Sequence, residues 1–599
     1  MTRRSIATVC VSGTLDDKLA AAAAAGFDGI ELFENDLIVS PWSPAEVRAR
    51  CADLGLGIYL YQPFRDFEGV SPVQFAANVD RAKHKFDVMA ELGADTLLVC
   101  SSVSSFDDDD LAAEQLAALA DEAAGRGIRI AYEALAWGRH VNTWDHSWRI
   151  VQAADHPALG LCLDSFHILS RSSTLDGIED IPPDKIFFVQ LADAPHLRMD
   201  VLQWSRHHRL FPGQGSWDLS AFLKKIEGYD GPLSLEVFND VFRQADPERT
   251  AVDAMRSLLA LEDDLPAAAE LRAHAFTEFG VDGRSGPELQ EALRGLGFTH
   301  TGQHRSKPVE LWEQGACRVI LNSAVTRPRA PGTASLSAFA LTSSDPVRSR
   351  VRAEALLAPP LPRTRGPREA DLTSVAAPDG TTILFSRDDD DWRADFLATG
   401  EIDTGGAGLT RTDHLGLAQP FDHFDEAGLF YRSVLGLTQL TTEEYAAPFG
   451  LMRSRAFATG GRTIRLALTV ALLRRGDWAP AVVDPQHLAF ATDDIFATAA
   501  AIGPTLPVPD NYYADLLARF ALPDETVERL RRHGILYDRD ATGGELLHLY
   551  TPVFGGRVFF EIVQRTGGYD AFGETNAPVR MAAHRHARLT GEVEGDVHD

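Results

Sequence analysis

The chain has 599 residues, 45% of them hydrophobic, 9% aromatic and 24% charged: an ordinary globular composition on a chain too long for one hydrophobic core. Its 86 Asp and Glu against 57 Lys and Arg give a formal charge of -29, which repels phosphate backbones and anionic lipid, so nucleic acid and membrane are excluded as expected partners and a small molecule is favoured. Cys10, Cys51, Cys100, Cys162 and Cys317 form no CxxC pair and read as reduced buried thiols, and without an apolar run near the ~20 residues of a membrane span the expected compartment is the cytoplasm.

From residue 5 to about 260, short runs rich in Ile, Val, Leu and Phe alternate with Ala/Leu/Glu-rich stretches of helical period. The runs are SIATVC (5–10), GIELF (29–33), GIYLY (57–61), TLLVC (96–100), RIAYEA (129–134), LGLCLD (159–164), IFFVQL (186–191) and LSLEVF (233–238). Eight strands with helix-sized spacers predict an α/β fold, a closed (β/α)8 barrel, over 1–265. The acidic run DDDD (107–110) precedes LAAEQLAALADEAA and reads as a helix start, where carboxylates meet the positive end of the helix dipole.

A charged, Ala-rich, Pro-containing stretch at 262–274 marks the boundary, and a second, α+β domain is expected over 270–585. Two stretches there share a layout. FTEFGV, PELQEALRGLGF and later strands run to about 400; TDHLGLA, FDEAGLFYRSVLGL and later strands cover about 410–570. Each reads as a βαβββ module, so this half is expected to be an internal duplication.

Barrel active sites lie at the C-terminal ends of the strands, and a charge inside an apolar strand is costly unless it has a task. Strands five to eight each carry one polar residue there: Glu133, Asp164, Gln190 and Glu236. Three carboxylates and an amide, all oxygen donors, make a site for Mg2+, Mn2+ or Co2+. Glu31 and Glu34 near strand two are weaker candidates outside this consecutive set. His167 follows Asp164 by three positions and could act as a general base. QWSRHHRLFPGQG (203–215) brings Ser205, Arg206, His207, His208 and Arg209 into the loop after strand seven, and YQPFRDFEG (61–69) places Arg65 after strand three. Arginines at barrel loops of so acidic a chain suggest a carboxylate clamp.

The order Glu133, Asp164-xx-His167, Gln190-xx-Asp193, Glu236 resembles the xylose-isomerase-like sugar-phosphate isomerase and epimerase barrels. With QWSRHHRLFPGQG and YQPFRDFEG it resembles the bacterial 3-dehydroshikimate dehydratases of quinate and shikimate catabolism. The resemblance implies a hydro-lyase that forms protocatechuate, with metal ligands Glu133, Asp164, Gln190 and Glu236, and with Arg65, His167, Ser205 and Arg209 near the substrate. A sugar or polyol isomerase or epimerase on the same barrel is the alternative.

The second half carries His414 in TDHLGLA, His487 in DPQHLAFATDDI and Glu561 in RVFFEIVQR. Two histidines and a carboxylate on β-like runs form the facial set of non-haem Fe(II) oxygenases. The set, with HRSKPVELWEQG (304–315), resembles 4-hydroxyphenylpyruvate dioxygenases of the vicinal-oxygen-chelate superfamily. That implies a second divalent ion, Fe2+ or Mg2+, and an alternative activity as an aromatic dioxygenase. The tail MAAHRHARLTGEVEGDVHD is charged where those dioxygenases have a helix gating the site, so the gate is expected to be missing and hydroxyphenylpyruvate turnover is not predicted. Self-association into a homo-oligomer is left open.

Overall fold

A computed structural model describes residues 2–590 except 105–106, 263, 325–329, 364, 388–391, 404, 449 and 473–484. The chain divides into two compact units, Met1–Leu265 and Pro266–Asp599.

The first unit is a closed barrel of eight parallel strands in sequence order: β1 (Arg4–Ala7), β2 (Gly29–Phe33), β3 (Gly57–Phe64), β4 (Thr96–Cys100), β5 (Arg129–Glu133), β6 (Leu159–Asp164), β7 (Ile186–Leu191) and β8 (Leu233–Leu235). Closure is made by β1 on β8, with Ser5 opposite Ser234. The eight expected strands are all present. Three are shorter than their apolar runs: Thr8–Cys10 turns into a 3-10 helix, β5 ends at Glu133, and β8 stops just before Glu236. Leu98, Ala131, Cys162 and Phe188 pack in one buried cluster on successive strands, which is why these runs alternate so little in polarity. Gly93 caps the helix Pro72–Leu92 at φ 72°, a conformation that favours glycine, and hands the chain to β4. Asp108 caps the helix Asp109–Ala124, accepting from the Leu111 N–H at 3.0 Å, as the helix-start reading of the acidic run requires.

The second unit contains two eight-stranded mixed sheets. The first comprises β9 (Leu271–Gly280), β10 (Thr299–His304), β11 (Val309–Gln314), β12 (Cys317–Asn322), β13 (Ser335–Ser343), β14 (Thr373–Ala376), β15 (Thr382–Ser386) and β16 (Phe396–Ala398). The second comprises β17 (Leu409–Ala418), β18 (Thr438–Ala447), β19 (Gly450–Ala458), β20 (Arg465–Ala471), β21 (Gln486–Thr492), β22 (Leu536–Arg539), β23 (Glu545–Tyr550) and β24 (Val558–Thr566). In each sheet the first strand pairs in parallel with the fourth and antiparallel with the fifth, β9 with β12 and β13, β17 with β20 and β21. Each sheet therefore opens with the expected βαβββ run and then continues past it. Phe298 lies 5.0 Å from Phe490, and Gln486 accepts from the Leu336 N–H at 2.7 Å, so the two sheets share one packed interior.

Candidate active site

Strand register brings the four barrel residues to one rim. Asp164 stands opposite Gln190, and Glu133 opposite Cys100, at the C-terminal ends of β6, β7, β5 and β4. Glu236 follows β8 directly, and all four side chains are buried. Glu31 on β2, outside the consecutive set of strands five to eight, joins them. Its Oε2 accepts from Gln190 Nε2 at 2.6 Å and from Gln62 Nε2 at 2.8 Å, so it fixes which way the Gln190 amide faces. Gln62 had not been singled out at all.

The charge count decides what the site can hold. Glu31, Glu133, Asp164 and Glu236 are buried together, with Arg209 the fully buried cation among them. Burial pushes Glu133 well above the carboxylate range, and the negative charges of Glu236 and Asp164 push it further. Burial and the charge of Glu236 do the same to Glu31. Glu133 Oε1 and Glu31 Oε1 are buried and accept no hydrogen bond. Unpaired oxygens and surplus negative charge in one oxygen-donor set are what a hard divalent cation satisfies, so the residues fit a divalent metal.

Arg209 is spent on holding this set in place. Its Nη1 donates to Asp164 Oδ2 at 2.8 Å and to Glu236 Oε2 at 3.0 Å, and its Nε and Nη2 donate to Ser205 Oγ at 3.2 and 2.8 Å. The guanidinium lies 4.5 Å from the Phe166 ring and 5.4 Å from that of Phe238. Ser205 is thus a partner of Arg209. The segment carrying both is pinned by Asp193, which accepts from the N–H groups of Gly213, Gly215 and Trp217 at 2.9–3.0 Å. Part of that segment is a short helix, Val201–His207, rather than an open loop. His207 pairs at the surface with Asp240.

Arg65 has a different setting. It is half-buried, makes no ion pair among the described residues, and borders a cavity of about 430 Å³ with Tyr61, Phe64 and Arg81. Burial alone would lower its pKa, but Cys100, Glu133 and Glu236 raise it, so it stays cationic beside the site. Glu34 is taken up by an ion pair with Lys85.

His167 lies 3.6 Å from Asp164 Oδ2 and 3.8 Å from Glu133 Oε1 through Nε2. Its Nδ1 accepts from the Ala136 N–H at 3.1 Å, and the Trp137 ring stands edge-on at 5.0 Å. Burial lowers its pKa to about 3, with Asp164 opposing and Arg209 reinforcing the shift, so the ring is neutral at neutral pH. Nε2 in turn faces the Arg209 Nη2 donor at 3.2 Å, so both ring nitrogens stand against N–H groups and the ring is clamped between Ala136 and Arg209.

In the second unit the expected triad converges. His414 Nε2, His487 Nε2 and Glu561 Oε2 are separated by 3.1, 3.2 and 3.4 Å, the edges made by ligands that share one ion at ~2.0–2.1 Å. These residues fit a divalent metal too. Around them lies a supporting set that sequence reading missed. Asp413 Oδ1 accepts from His414 Nδ1 at 2.8 Å, and Arg565 grips Asp413 through Nε and Nη2 at 3.0 and 2.9 Å. A register shift between Thr412 and His414 makes Asp413 the extra residue of a bulge, which lets two neighbours in sequence serve one site. His548 Nδ1 donates to Glu561 Oε1 at 2.7 Å, and Asn576 donates to His548 Nε2 at 2.9 Å. Burial holds His487 near pKa 4, neutral and ready to ligate.

The tail corrects an expectation. Ala577–Thr590 forms a helix, and it lays Arg580 4.8 Å from the Phe559 ring, which itself stacks on His487 at 5.0 Å. The net charge of the segment had hidden buried Ala583, His584 and Ala587, spaced as one helix face. Residues 591–599 lie outside the described residues.

Comparison with known proteins places this architecture. Residues 19–261 match the family model of the xylose isomerase-like TIM barrel. A 3-dehydroshikimate dehydratase of Pseudomonas putida is 45% identical over 633 aligned residues, covering 98% of both chains. The chain belongs to the 3-dehydroshikimate dehydratase family. A solved xylose isomerase-like TIM barrel/4-hydroxyphenylpyruvate dioxygenase fusion protein superposes with a TM-score of 0.90 at 44% identity, covering 98% of this chain and all of that one. A 4-hydroxyphenylpyruvate dioxygenase of a Pseudomonas species is 30% identical over 48% of this chain and 87% of its own. Membership makes the chain a lyase of the dehydratase class, and the two folds of the fusion account for the barrel and for the paired sheets. Among the described residues no helix is long and apolar enough to cross a membrane.

Proposed function

We propose that the barrel dehydrates 3-dehydroshikimate to protocatechuate and that Glu133, Asp164, Gln190 and Glu236 hold its divalent ion. The likeness to the Pseudomonas putida dehydratase over 98% of both chains carries the reading. Mg2+, Mn2+ or Co2+ at the oxygen-rich rim would supply Lewis acidity toward the C3 ketone of the substrate. The net change is loss of the C4 proton and the C5 hydroxyl as water, followed by tautomerisation to the aromatic ring.

The residues divide the remaining work. Arg65, with donors uncommitted to any carboxylate, binds the ring carboxylate. Arg209, whose donors are engaged by Asp164, Glu236 and Ser205, positions the metal ligands instead. His167 was expected as the base. Neutral, and with Nε2 beside Asp164 and Glu133, it keeps that role toward the C4 proton. Incubation with 3-dehydroshikimate and identification of protocatechuate by mass tests the reading, and a silent barrel redirects it to a sugar-substrate panel.

The second unit holds its own divalent ion, Fe2+ or Mg2+, on His414, His487 and Glu561. Five buried free thiols suit the reducing cytoplasm, where quinate and shikimate catabolism would supply the substrate.

A further inference from the structure

A third convergent cluster lies apart from both sites. The helix Asp109–Ala124 follows β4 and the helix Trp144–Ala154 follows β5, so their first turns both sit on the catalytic rim of the barrel. Asp109 Oδ1 lies 2.6 Å from His140 Nε2 and 2.8 Å from His146 Nε2, and the two imidazoles stand 4.8 Å apart, nearly perpendicular. Asp108 alone caps the first helix, so the carboxylate of Asp109 is free of that task. All three side chains are partly exposed, which leaves a side open to water.

We propose that Asp109, His140 and His146 form a cation site of the zinc class on the barrel rim. Two imidazole nitrogens and one carboxylate oxygen are the donor set of a borderline ion, whereas the oxygen-rich barrel centre suits harder ions. The three ligand atoms lie within 4.8 Å of one another. A tetrahedral ion with bonds of ~2.0–2.1 Å needs edges of roughly 3.3 Å, so each histidine parts from Asp109 by about half an ångström, and water takes the fourth position.

The site bears on catalysis through the segment it closes. His140 belongs to the connection from β5 that carries Ala136 and Trp137, two of the groups that hold His167. That connection is already tight at Gly138, where a β-carbon would stand 2.1 Å from the Val141 carbonyl oxygen. An ion on His140 and His146 clips this segment to the helix that begins at Asp109, and so braces the support of His167 from outside the reaction centre.

The test uses the full-length protein with Mg2+ in excess and zinc as the probe. Equilibrium dialysis should show the parent binding one more zinc per chain than the His140→Gln/His146→Gln variant, with circular dichroism unchanged. Crystals of the parent soaked in zinc should give an anomalous peak between the three side chains. Equal zinc stoichiometry, or no anomalous peak there, overturns the proposal. The crystal experiment needs no variant, so it decides the matter even if the substituted protein does not fold.

Discussion

Arg209 donates from Nη1 to Asp164 Oδ2 at 2.8 Å, with the two side chains only 1% and 0% exposed. The same nitrogen reaches Glu236 at 3.0 Å, so one buried cation ties together two of the proposed metal ligands. Removing one partner of a buried pair leaves an uncompensated charge and costs about 3–5 kcal/mol. Arg209→Met should therefore lower thermal stability and metal affinity together. Loss of turnover with metal binding and melting temperature unchanged would instead give Arg209 a direct contact with substrate.

Arg65 should behave differently. Charge-assisted hydrogen bonds contribute about 1.5–3 kcal/mol, so Arg65→Gln should reduce kcat/KM by roughly one to two orders of magnitude, mostly through KM, with stability unaffected. Steady-state kinetics on 3-dehydroshikimate distinguishes the two arginines. An unchanged KM would remove Arg65 from carboxylate binding.

The proposed role of His167 as base is tested by glutamine and alanine together. An amide donates a hydrogen bond but takes up no proton at neutral pH. His167→Gln and His167→Ala should therefore lose turnover to the same extent, with folding intact. Measurably more turnover in His167→Gln would make the side chain a hydrogen-bond donor instead.

The pH dependence of metal binding follows from the raised carboxylates. Burial holds Glu133, Glu31 and Glu236 above their ordinary range, so without metal they keep protons at pH values where an exposed glutamate has lost them. Raised carboxylate values mean that metal must displace protons, so affinity rises with pH and weakens as pH falls toward the ordinary carboxylate range. Calorimetry of Mn2+ binding at pH 6 and pH 8 in buffers of different ionisation enthalpy should report proton release. A pH-independent affinity with no release would contradict the protonated, metal-free site.

In the second unit, Gly416 faces His487 across β17 and β21, and a β-carbon there would stand 1.8 Å from the imidazole Cε1. Gly416→Ala should displace His487 and cost the second ion without reducing dehydration, as should His487→Ala. Glu133→Ala should abolish turnover. Metal analysis beside the dehydration assay checks all three, and parallel loss of dehydration would join the two units functionally.

The barrel was legible because strand runs and their terminal polar residues are local features: Glu133, Asp164, Gln190 and Glu236 each announce themselves as a polar residue at the end of an apolar run. The contacts that rank the remaining candidates depend on closure. Glu31 reaches Gln190 across 159 positions, and only the closed barrel makes them neighbours. Asp413 serves His414 through a bulge that no pattern of alternation predicts. The rim cluster joins Asp109 to histidines 31 and 37 positions away, inside segments that individually read as a helix start and a connection.

The central claim is that the barrel is a metal-dependent 3-dehydroshikimate dehydratase, and ultraviolet absorbance tests it most directly. Chelator-stripped protein incubated with 3-dehydroshikimate should stay silent until Mg2+, Mn2+ or Co2+ is added, and then develop the absorbance of protocatechuate, confirmed by mass. No aromatic product with any of the three ions, from protein that is folded and metal-loaded, would contradict it.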